Sequence, residues 1–107
     1  MKTKLRISTK HLRPATRRWV RETAGEYVLE PHHERLLVLA GEAWDRCEQA
    51  RETLAQEGLV AYDRFGQSRS HPCIAVERDS RIAFARLLRD LGLDDEGPAQ
   101  LGRPPGT

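Results

Sequence analysis

Four histidines and two cysteines are the residues that could do acid–base, nucleophilic or metal chemistry, and their spacing argues against each. His32-His33-Glu34 has the composition of a metal-binding run. Neighbours on a helix point about 100° apart, however, and no second cluster supplies the missing ligands. The three read as solvated polar side chains on a first helical turn. His71 precedes Pro72, and no Ser, Cys or Asp constellation around it has the logic of an activated nucleophile, so it is expected to cap a helix or pack a turn. Cys47 and Cys73 fall on expected helices without a second ligand nearby, and read as free buried thiols. There is no glycine-rich phosphate loop. No catalytic set can be assembled, so the expectation is a protein that is not an enzyme and uses no cofactor.

The chemistry that remains is charge. Residues 1–21 hold Lys2, Lys4, Arg6, Lys10, Arg13, Arg17, Arg18 and Arg21 with no acid, whereas the rest has ten basic and sixteen acidic residues. The net charge of +2 therefore divides into +8 and −6. A basic arm on an acidic body suits nucleic acid, because each cation that neutralises a phosphate releases a counterion. These eight residues are the expected DNA contacts, with double-stranded DNA as partner.

Positioning them requires helices. Residues 1–12 lack a sustained apolar period and read as a basic flexible arm. Pro14 opens a short helix with Trp19 and Val20 inward and Arg17, Arg18 and Arg21 outward, ending at Gly25. Pro31 starts the longest helix, which runs to about Glu57 before Gly58. On it Leu36, Ala40, Ala43, Cys47, Ala50 and Leu54 recur at alternating four- and three-residue steps, a heptad seam, with Leu37 and Trp44 as a second apolar line. Around Gly66, the flanks 59–62 and 69–71 read as a β-hairpin. Pro72 begins a last helix whose inward line is Val76, Ser80, Phe84, Leu87 and Leu91, stopped by Gly92. The expected fold is mainly α: an antiparallel helical hairpin with a short β-hairpin between its helices, preceded by one short helix. Residues 13–93 form a helical oligomerisation core and 94–107 an acidic, Gly/Pro-rich disordered tail.

At 107 residues, with 38% hydrophobic and 32% charged, the chain is one small domain with a shallow core. Two apolar lines on one helix exceed what a single partner helix covers, so a homo-oligomer is expected, packed through these seams. No run approaches the roughly 20 apolar residues of a membrane span, and no secretory signal is visible, so a cytoplasmic protein without membrane contact is expected.

The order of these features resembles the small subunit of tailed-phage terminases, in its short branch. The resemblance rests on the Trp19 helix, the Pro31 helix with LLVLAGEAWDRCEQARETLAQEGL, the turn Tyr62-Asp63-Arg64-Phe65-Gly66 and the His71-Pro72 step. It continues through Glu77-Arg78-Asp79-Ser80-Arg81 into Phe84-Ala85-Arg86-Leu87-Leu88-Arg89-Asp90-Leu91-Gly92-Leu93, and covers about residues 12–93. It implies a phage- or prophage-encoded part of a DNA-packaging motor, mostly α-helical and assembled as a ring. Such subunits bind viral DNA and present it to the terminase large subunit, which holds the ATPase and nuclease. Gly66, His71, Pro72 and Leu87 to Leu93 are structural positions in that likeness. Longer small subunits carry a separate N-terminal helix-turn-helix domain. With only one short helix before the hairpin core here, backbone contact by a basic ring surface is the expected mechanism. The alternative is a small dimeric transcription regulator whose Pro14 helix reads the major groove.

Overall fold

The computed structural model describes residues 4–93. In chain order these form α1 (Pro14–Glu26), α2 (Pro31–Glu57), β1 (Val60–Tyr62), β2 (Ser68–Ser70) and α3 (Pro72–Asp90). Lys2 and the expected acidic tail, 94–107, lie outside the described residues. Each helix begins with proline in its first turn, where the missing N–H has no intrahelical partner to lose. Trp44 meets Phe84, Arg51 meets Glu77 and Glu57 meets His71, so α2 and α3 run antiparallel, with the hairpin joining them. The mainly α fold expected from the sequence is the one observed.

Along this pair, Ala40, Cys47 and Ala50 of α2 are buried, and Leu36, Ala43 and Leu54 are half-buried. Small side chains at the middle of the seam let α3 approach closely. The facing line of α3 is Cys73, Glu77, Ser80, Phe84, Leu87 and Leu91, each buried or half-buried. It differs from the expected line at one point, since Val76 is exposed and Glu77 takes the inward position. An acid is tolerated there because Arg51 Nε lies 3.0 Å and Arg81 Nε 3.4 Å from its Oε2. The Arg51 bond first, opposed by burial, and then Arg81 hold the Glu77 carboxyl below the usual glutamate range.

The opposite face of α2 corrects a second expectation. Leu37 was expected to be left for other copies; it is 1% exposed, in a core with Leu12, Val20, Ala24 and Val38. What covers it is α1 and the segment before it. Gly41 makes this possible, because a Cβ there would stand 3.0 Å from Val20 Cγ2 and 3.2 Å from Leu12 Cδ1 and Thr16 Cγ2. Residues 4–12 are neither helix nor strand, but they are not free. Leu12 is buried, while Leu5 and Ile7 pack on the same core, since apolar side chains too sparse for a helix can still fill a groove. Helix α1 also passes through Gly25 to Glu26; it stops because Tyr27 turns extended, at φ −132° and ψ 155°.

The hairpin pairs Val60 with Ser70 and Tyr62 with Ser68. Gly66 N–H donates to Asp63 O, with Gly66 at φ 79°, the left-handed residue a three-residue hairpin loop needs. His71 closes the unit. Its Nδ1 accepts from Cys73 N–H at 3.0 Å, so in this neutral form Nε2 carries the proton and donates to Glu57 Oε1 at 2.8 Å. One buried imidazole thus caps α3 and ties it to the end of α2, which is the capping role expected of it.

Substituting Gly41→Val should lower stability by about 1–3 kcal/mol through overpacking, while Gly25→Ala, with nothing near its Cβ, should raise it by about 0.5–1 kcal/mol. Urea midpoints check both. For Glu77 the folded-state carboxyl titrates below its unfolded value, so the stability it contributes is present at neutral pH and lost as pH falls through the acid range. Glu77→Gln should therefore flatten the acid limb of urea midpoint against pH.

Candidate nucleic-acid interface

The eight cations expected to meet DNA have separate fates. Lys4, Arg6, Lys10, Arg18 and Arg21 are exposed, and none forms an ion pair with a carboxylate among the described residues. Arg18 and Arg21 stand three apart, on the side of α1 turned away from buried Thr16, Val20 and Ala24. Two others are engaged inside the chain. The Arg13 guanidinium makes a two-pronged contact with Glu52, at 2.8 and 3.0 Å. That contact raises the arginine's pKa and holds the Glu52 carboxyl below its usual range. Arg17 donates from Nη2 to Leu12 O at 3.3 Å, and its Nε is buried without a partner. The structure thus brings Arg18 and Arg21 together on one surface and turns Arg13 and Arg17 to structural use.

What fixes the basic segment is a pair of acids on α2. Glu34 is 5% exposed and its Oε1 accepts from Arg6 N–H at 3.1 Å. The expectation that Glu34 is solvated fails here, because the preceding segment folds over it. Asp45 accepts from Arg13 N–H at 2.8 Å and from the Thr16 hydroxyl. Arg13 is the N-cap residue of α1 and has no side-chain bond of its own to the helix. Asp45 therefore anchors the start of α1 from another helix, by the N-cap amide and the Thr16 side chain, with its negative charge at the positive end of the α1 dipole. Nearby, His11 Nε2 lies 2.7 Å from Glu42 Oε2. Asp45 was not singled out from the sequence, and Glu34 only as part of a solvated polar run. The signal was present: Glu34, Val38, Gly41 and Asp45 recur at four- and three-residue steps, a third stripe of α2.

Beyond this face, Trp19 and Trp44 both lean on Phe84, with ring centroids 5.8 and 5.1 Å apart, and with Ala15 and Thr16 they line an open apolar cleft of about 340 Å³. Both thiols are free. Cys47 is buried, with Sγ 3.6 Å from Glu77 Oε2, and burial pushes its pKa up; Cys73 is half-buried. No group of His, Cys, Asp and Glu among the described residues could hold a metal ion, and no described helix is long and apolar enough to cross a membrane.

A family model for the phage terminase small subunit matches residues 16–106, nearly the whole chain. The protein belongs to the phage terminase small subunit family, which gives it a role in phage DNA packaging. No curated protein and no solved structure matches the chain.

Removing this anchor tests how α1 is held. Asp45→Ala should cost roughly 1–3 kcal/mol of stability and speed exchange of the Arg13 amide. If it matches the wild type in both, Asp45 does not seat the helix.

Proposed function

We propose that this protein is a non-enzymatic packaging adaptor that assembles as a ring, holds double-stranded DNA by phosphate contacts and recruits the terminase large subunit. Its basic ring surface comes from the segment 4–12 and the outer face of α1. The observation that carries the reading is the separation of charge within a fixed framework. Exposed Lys4, Arg6, Lys10, Arg18 and Arg21 lie on elements that Glu34 and Asp45 bind to α2, so several cations are held in register rather than on a loose tail. Cations on a docked surface suit backbone contact, which positions a duplex without reading its bases. The likeness to a dimeric regulator has less support, because family membership favours packaging and the one short helix of α1 is packed down on α2.

Ring assembly is supported by apolar surface that the protomer leaves uncovered. Leu39, Trp44, Ile82, Tyr62 and Phe65 are all exposed. The domain division proposed is a basic docked segment, a helical core of residues 13–93 that also carries the oligomer contacts, and a C-terminal tail.

Charge replacement tests the DNA surface better than truncation, since removing residues 1–21 would also remove Leu12, Thr16 and Val20 from the core. Replacing Arg18 and Arg21 together by alanine should weaken binding to all duplex sequences alike and reduce the slope of log Kobs against log salt by roughly 1.8. Arg13→Ala should change that slope little, because its guanidinium already faces Glu52. Equal effects from the two variants, or none from the first, would overturn the assignment.

A further inference from the structure

We infer that the β-hairpin is a second nucleic-acid contact, one that enters the major groove of double-stranded DNA and touches base edges; this rests on the DNA reading above, in which α1 and the segment before it meet phosphates. A two-stranded hairpin is marginal in water on its own, and this one has little cover: β2 is exposed throughout and β1 at both ends. Its tip is nevertheless firmly built. Asp63 Oδ1 accepts from Phe65 N–H at 2.8 Å and Gln67 N–H at 3.0 Å, while Arg69 Nε reaches Oδ2 at 3.4 Å. The Gln67 amide first, opposed by burial, and then the Phe65 amide and Arg69 hold the Asp63 carboxyl low. This brace presents Tyr62 and Phe65 at 73% and 75% exposure, apart from the exposed Leu39, Trp44 and Ile82 of the helices.

The same brace takes the hairpin's one acid out of play. Asp63 is the only acid between Glu57 and Glu77, and those two are engaged with His71 and with Arg51 and Arg81. What the hairpin turns to solvent is therefore cationic and polar. Arg64 has no carboxylate partner among the described residues, and its Cζ stands 5.0 Å from the Phe65 ring centroid. Gln67, Ser68, Arg69 and Ser70 follow, all exposed and none apolar.

This chemistry selects the partner. A protein interface is built around an apolar centre, which an all-polar β2 cannot supply. Guanidinium, carboxamide and hydroxyl groups are those that pair with base edges, and an aromatic ring can meet the thymine methyl. Charge and hydrogen-bonding groups thus complement nucleic acid rather than a second protein. Size agrees as well. Strands about 4.8 Å apart, with small serines on the outer one, form a ribbon that the major groove, about 12 Å wide, admits; the minor groove, about 6 Å, would have to be widened.

The experiment is fluorescence anisotropy with a mixed-sequence duplex over a salt series, on wild type, Phe65→Ser, Gln67→Ala and the double variant Arg18→Ala with Arg21→Ala. Far-UV circular dichroism and native mass spectrometry verify that fold and assembly are kept; both hairpin positions are exposed. Phe65→Ser and Gln67→Ala remove no charge, so each should weaken binding roughly fivefold or more and leave the slope of log Kobs against log salt unchanged. The double variant should lower that slope instead. With methyl green filling the major groove, the difference between wild type and Phe65→Ser should vanish. If both hairpin variants bind as wild type does while the double variant binds more weakly, the inference is overturned and the DNA reading stands. A difference that persists under methyl green overturns the groove assignment. Loss of assembly in Phe65→Ser and Gln67→Ala makes the tip a protein contact, and the inference fails. A wild type that binds no duplex at low salt overturns the DNA reading as well.

Discussion

Helix α2 has to bury two different faces at once, and the narrower of them governs where the positive charge of the chain ends up. Its broad seam receives α3. Its other stripe, Glu34, Val38, Gly41 and Asp45, is shaped by a glycine that lets Val20, Thr16 and Leu12 come within contact distance. Acids at the two ends of that stripe bind the backbone of Arg6 and Arg13. Close approach and polar capture act together here, because apolar packing alone sets proximity but not register, whereas a buried carboxylate must find particular donors.

From that constraint follows a molecule with a division of labour along α2. Towards its start, the basic segment and α1 are clamped down with Lys4, Arg6, Lys10, Arg18 and Arg21 outward. Towards its end, His71 locks Glu57, the hairpin and α3 into one corner. The cations used inside the fold, Arg13 and Arg17, are those nearest the junction of segment and helix. On the proposed function, it is this exposed charge that would meet a DNA backbone.

Much of this was legible in the residues. The bounds of α2, the hairpin at Gly66, the Pro72 start and the cap at His71 follow from local chemistry, because proline, glycine and a capping side chain act within a turn of where they stand. Other features depend on what arrives from elsewhere in the chain. Glu77 rather than Val76 faces α2 because Arg51 is there to meet it, and that pairing spans 26 positions. Gly25 stays helical because the break falls at Tyr27. Residues 4–12 carry no periodic signal, and only the groove on α2 makes their scattered Leu5, Ile7 and Leu12 into core. Glu34 and Asp45 were visible as letters but meaningful only as a third stripe.

The claim at the centre is that the basic segment is part of the fold, held by two carboxylates of α2. Amide hydrogen exchange resolved by residue measures it directly. The account predicts that Arg6, Leu12 and Arg13 amides, bonded to Glu34, Thr9 and Asp45, exchange far more slowly than in an unstructured peptide and slow together with α1. Exchange across 4–13 at free-chain rates, beside a protected α2, would contradict it.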